Sequence, residues 1–105
     1  MSGATSALLR SMNFVNVTNF HIEEIKSRSW ASATFTGVRH EIGFRFEGLE
    51  ADKAAEEFLA GIGEREFKLP GHILADIAPI SNLRTGMAGQ YVVRIRLEAL
   101  TIEDC

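Results

Sequence analysis

Two stretches of this chain alternate apolar and charged residues with a period of two, a pattern no helix can satisfy. In the first, His40, Ile42, Phe44 and Phe46 share one side while Glu41, Arg45 and Glu47 take the other. In the second, Tyr91, Val93, Ile95, Leu97 and Ala99 alternate with Arg94, Arg96 and Glu98 over residues 91–102. Successive strand residues point to opposite faces. Each stretch is therefore a strand with one greasy and one wet face, and together they require an antiparallel sheet buried on one side.

The remaining pattern supplies the neighbours. Residues 19–26 read as a strand with Phe20 and Ile22 in phase. Ile25 is out of phase, which puts a bulge near Glu23 and Glu24. Residues 30–36 alternate Ala31, Ala33 and Phe35 against Trp30, Ser32, Thr34 and Thr36, either as a separate strand or as a continuation past residues 27–29. Gly37 offers a tight turn through Val38 and Arg39 into the His40 strand, making a hairpin. Residues 50–62 place Ala51, Ala54, Ala55, Phe58, Leu59 and Ile62 at helical spacing with Lys53, Glu56 and Glu57 opposite. Glu50 and Asp52 suit the positive end of that helix, and Gly61 or Gly63 suits its left-handed end. An extended piece begins at residues 66–69, Pro70-Gly71 carries turn chemistry, and strand resumes at residues 72–78. Residues 81–90, with Gly86 and Gly89, read as a loop.

The expected class is α+β: a two-layer sandwich with a mostly antiparallel four- or five-stranded sheet and one main helix, in the order β-β-β-α-β-β. Residues 1–18 form an N-terminal arm, of which residues 5–12 are a short helix or a loose arm, and residues 19–103 form a single α+β domain. Met12 offers a second start of translation, which would make the first eleven residues incidental.

Dimensions carry the functional expectation. A helix of about 12 residues is roughly 18 Å long and 10 Å wide. Four or five strands make a floor some 20 Å across and about 30 Å long. One helix cannot roof it. The arm, a curled sheet or a second copy of the chain must close the rest, and the second copy is preferred because large apolar patches rarely stay exposed on monomers. The expectation is thus a self-associating or protein-interaction domain, a dimer first, with Trp30, Phe44, Phe46, Val93 and Ile95 as interface residues.

Composition narrows the alternatives. Eleven bases against 14 acids give a net charge of −3 with the signs interspersed, so no field gathers nucleic acid or an anionic membrane. Arg45, Arg94 and Arg96 would make a basic stripe on adjacent strands, but Glu41, Glu47 and Glu98 alternate with them and read as a charge ladder. No apolar run reaches the length of a membrane span. The one cysteine, Cys105, excludes an intrachain disulfide and suits the cytoplasm.

Catalytic candidates are few, and no cofactor is implied. His40, His72 and Asp76 are the candidates for a small-molecule or metal-binding enzyme, completed between subunits if at all, with Glu41 or His21 as a further ligand. His72 and Asp76 lie about 13 Å apart along a strand and cannot share an ion. The His40 and His72 pair meets only if their strands are neighbours. Arg84, Gly86 and Gly89 offer a weak anion-binding nest that lacks phosphate-loop spacing. Arg39-His40-Glu41 reads most simply as the polar mouth of a hairpin.

Overall fold

The two alternating stretches lie side by side at the centre of one four-stranded sheet. The computed structural model describes residues 3–12, 20–64, 67–87 and 90–103. Its elements are α1 (Gly3–Met12), β1 (Phe20–Ala31), β2 (Thr36–Glu47), α2 (Ala51–Glu64), β3 (His72–Met87) and β4 (Gln90–Glu103). The strand order is β1-β2-β4-β3, with every neighbouring pair antiparallel. The α+β class holds with four strands. The chain order is α-β-β-α-β-β in place of the expected β-β-β-α-β-β.

The register explains the two faces. Phe46↔Val93, Phe44↔Ile95 and Ile42↔Leu97 are directly opposed, so both apolar rows share the inner face. Phe44, Phe46, Ile42, Val93, Ile95 and Leu97 are all essentially sealed. Phe20 of β1 stacks on Phe44 at 5.6 Å, and Phe58 of α2 packs edge-on against Phe44 at 5.1 Å.

The shortage of lid disappears because the N-terminal arm contains a helix that packs. Ala4, Thr5, Ala7, Leu8 and Met12 of α1 are buried, and Ala7, Leu8 and Met12 join the same cluster as Ile42 and Leu97. α2 contributes Ala51, Ala55 and Ile62 to that cluster. Ser11 Oγ accepts the Lys68 N–H at 3.3 Å and ties the end of α1 to the segment after α2. Two helices therefore roof the floor. Phe44, Phe46, Val93 and Ile95, expected at an interface, are core side chains closed off by the chain itself.

Several boundaries also move. The first two expected strands are one, and the turn falls at residues 32–35 and not at Gly37. There the Ser32 hydroxyl accepts the Phe35 N–H at 3.1 Å while the Ser32 N–H donates to the Phe35 carbonyl at 2.8 Å, a hydroxyl-closed turn. Gly37 is used differently: a Cβ there would lie 2.1 Å from the Thr101 carbonyl oxygen, so it permits close approach of β2 to β4. α2 runs through both Gly61 and Gly63 to Glu64. Residues 67–69 are not strand. Pro70-Gly71 is a turn as expected, with His72 N–H donating to the Leu69 carbonyl at 2.9 Å and Gly71 at φ 76°, which is type II geometry. The expected loop over residues 81–90 is largely strand, since β3 continues to Met87. The bulge near Glu23 is present, between Ile22 and Glu24.

Candidate functional site

His40 sits on the inner face of β2 and is completely buried. Thr5 Oγ1 of α1 lies 3.0 Å from its Nδ1, and Thr101 Oγ1 of β4 lies 2.8 Å from its Nε2. The Thr101 hydroxyl in turn donates to the Val38 carbonyl at 3.4 Å. That order puts the ring proton on Nε2, which donates to Thr101, and leaves Nδ1 to accept from Thr5. Burial, and secondarily the charge of His72 nearby, push the His40 pKa below its ordinary 6.5. The result is a neutral histidine clasp joining α1, β2 and β4.

The other two catalytic candidates do not complete a site with it. His72 opens β3, with its Nδ1 3.1 Å from the Pro70 carbonyl. Asp76 is exposed and pairs in register with Leu100, on the outer face of the sheet. His40 therefore has both ring nitrogens engaged, and the sheet separates it from Asp76. Among the described residues no group of three or more His, Cys, Asp or Glu side chains is arranged to hold a metal ion.

The outer face carries an ion-pair lattice. Arg96 reaches Glu41 on β2 and, at 2.9 Å, Glu24 on β1. It passes over Gly43, which stands between them in the register Glu24↔Gly43↔Arg96. A Cβ at that position would meet the Arg96 guanidinium at 3.7 Å, an ordinary contact, so the crossing leaves room for alanine. Bonds from Arg96 first and Lys26 second hold the Glu24 carboxyl below its ordinary 4.5, and Glu41 and Glu24 together raise the Arg96 guanidinium. Glu23 takes both Arg45 and Arg94 at 3.2 Å. Arg45 Nε also lies 2.7 Å from Glu47 Oε1, a charge contact outside hydrogen-bond geometry. Arg39 pairs with Glu98. Arg45, Arg94 and Arg96 are thus each matched by carboxylates. The sequence pattern shows the β2 and β4 members of this lattice, but it gives no sign that Glu23 and Glu24 of β1 supply half the counter-charge.

The two sheet edges differ. β1 carries Glu23, Glu24, Lys26 and Arg28 besides His21, whereas β3, though longer, carries only Asp76 and Arg84 besides His72. Along β3, Ile73 is 53% exposed, Ile80 49% and Leu83 63%. Arg84 is held by Asp52 at 3.0 Å and Glu56 at 3.5 Å on α2. Gly86 lies in β3 opposite Tyr91, and Gly89 is outside the described residues. Trp30 is half-buried on the outer face, opposite Gly37.

No protein-family model matches this chain, and no curated protein matches it in sequence. No helix among the described residues is long and apolar enough to cross a membrane.

Proposed function

We propose that this chain is an interaction domain that pairs with a second copy of itself along the free edge of β3. The observation that carries this reading is the contrast between the edges. β1 is crowded with charge, the pattern by which natural sheets discourage edge-to-edge pairing. Among the described residues no strand pairs with the outer edge of β3, which lies beside exposed Ile73, Ile80 and Leu83.

Edge pairing is favoured over stacking of the outer faces. Stacking would strip water from the Arg96–Glu41–Glu24 and Arg39–Glu98 groups, and desolvating several ion pairs costs more than their attraction returns. A two-fold axis beside β3 sets the strand against its own copy in antiparallel sense, which serves both chains equally. A 16-residue strand offers an edge of roughly 50 Å, and a strip about 10 Å deep would bury on the order of 500 Å² per chain, close to the smallest specific interfaces. Pro79 and the irregularities at Leu74/Asp76 and Pro79/Ser81 divide the edge into two runs. The dimer is accordingly a modest one, in the micromolar range.

The alternative, a small-molecule or metal enzyme around His40, His72 and Asp76, draws little support from a histidine saturated by two threonines. A single cysteine in 105 residues fits the cytoplasm as the working compartment. Light scattering across 5–200 µM tests the reading. Wild type should approach twice the monomer mass of 11.6 kDa, Leu83→Lys should stay monomeric, and Lys26→Ala in β1 should behave as wild type. A monomeric wild type over the whole range refutes it.

A further inference from the structure

We propose that the cleft at the β1–β2 end of the outer face binds an oxyanion, a carboxylate or a phosphate on an apolar body, gripped between Arg28 and Arg39. The argument starts from a mismatch in the lattice. Lys26, Arg39, Arg45, Arg94 and Arg96 each have a carboxylate partner. Arg28 has none within ion-pair distance among the described residues, and the register sets it directly opposite Arg39. Like charges facing each other across neighbouring strands oppose pairing. A bound anion converts that conflict into two charge-assisted contacts, the planar two-pronged kind that guanidinium groups make with carboxylate and phosphate.

The surroundings fit such a ligand. Lys26, Arg28 and Arg39 line a cleft of about 860 Å³ together with Glu41 and Glu98, within the usual size of small-molecule sites. Both acids are already engaged, Glu41 by Arg96 and Glu98 by Arg39, and their presence restricts the site to one anionic group. Trp30, two residues along the same face from Arg28, and Leu100, opposite Arg39, are both half-buried. They extend the outer face as apolar surface beside the cleft, whose own lining includes Ile25. Arg84, by contrast, carries two carboxylate partners, Asp52 and Glu56, and has Val93, not a second arginine, opposite it.

The site lies on the far side of the sheet from β3 and does not depend on self-association, so it is tested in both wild type and Leu83→Lys. The probes are inorganic phosphate, phenyl phosphate and benzoate, with chloride balancing ionic strength. At ten times its Kd the best aryl probe should raise the Tm by about 6 °C and shift the Arg28 and Arg39 Nε–H resonances. Arg28→Ala should weaken binding at least tenfold while leaving the Tm without probe no lower than wild type. Comparison of phenyl phosphate with benzoate identifies the preferred head group. Equal binding by Arg28→Ala, or no response beyond chloride to any of the three, overturns the site. Phenyl phosphate binding no tighter than inorganic phosphate overturns the role of the apolar surface.

Discussion

Replacing Leu8 by alanine tests whether α1 is part of the core or a passenger. Leu8 is fully buried and belongs to the cluster that includes Ile42, Leu97 and Ala99. Removing three carbons loses roughly 2.4 kcal/mol of transfer energy at about 0.8 kcal/mol per carbon. A cavity that fails to collapse adds up to about 2 kcal/mol. The expected destabilisation is therefore about 2.4–4.4 kcal/mol. Unfolding entropy for 105 residues is near 220 cal/mol/K, so each kcal/mol is worth about 4–5 °C and the Tm should fall by roughly 10–20 °C. Calorimetry or circular dichroism reads this directly, with Arg10→Ala, exposed in the last turn of α1, as the control. A Leu8→Ala shift no larger than the control's would show that α1 does not roof the floor, and the dimensional argument for a missing lid would return.

His40 makes stability pH-dependent. Its folded pKa lies below the ordinary 6.5, so as pH falls through 6.5 the unfolded chain takes up a proton that the folded chain resists. Stability should decline as pH falls below 6.5 with a slope of up to about 1.4 kcal/mol per unit, and His40→Gln should flatten that slope in urea titrations. Gly37→Ala should cost about 3 kcal/mol or more, because the new Cβ meets the Thr101 carbonyl at 2.1 Å. Gly71→Ala, where there is open space but φ is 76°, should cost only about 1–2 kcal/mol. Arg96→Ala should let the Glu24 carboxyl rise back toward 4.5 in an NMR titration, and an unmoved Glu24 would mean that Arg96 is not its partner.

The sequence is informative where a residue's role follows from period alone. The β2 and β4 rows, the bulge beside Glu23, the body of α2 and the Pro70-Gly71 turn are all visible that way. Glycine is the most ambiguous residue in this chain, because Gly37 as a turn and Gly37 as a contact point between strands read identically in one dimension. The true turn at residues 32–35 depends on a serine hydroxyl, a weaker signal than glycine. Gly86 suggested a loop inside what is a long edge strand with irregular register. α1 leaves only a weak signal because ten residues form no stable helix alone, and its stability comes from tertiary burial. Of the candidate site, the charge alternation on β2 and β4 was legible, but the isolation of Arg28 depends on which carboxylates β1 places within reach. His40 lay in phase with the core row, and its bonding to two threonines from distant segments could not be read from one stretch.

Hydrogen exchange measured as a function of protein concentration tests β3 pairing most directly. Between 5 and 200 µM, the outward-directed amides of β3 in residues 81–87 should gain protection, while those of β1 should exchange at an unchanged rate. Concentration-dependent protection of β1, or none at either edge, would contradict the assignment of β3 as the surface through which this chain meets its copy.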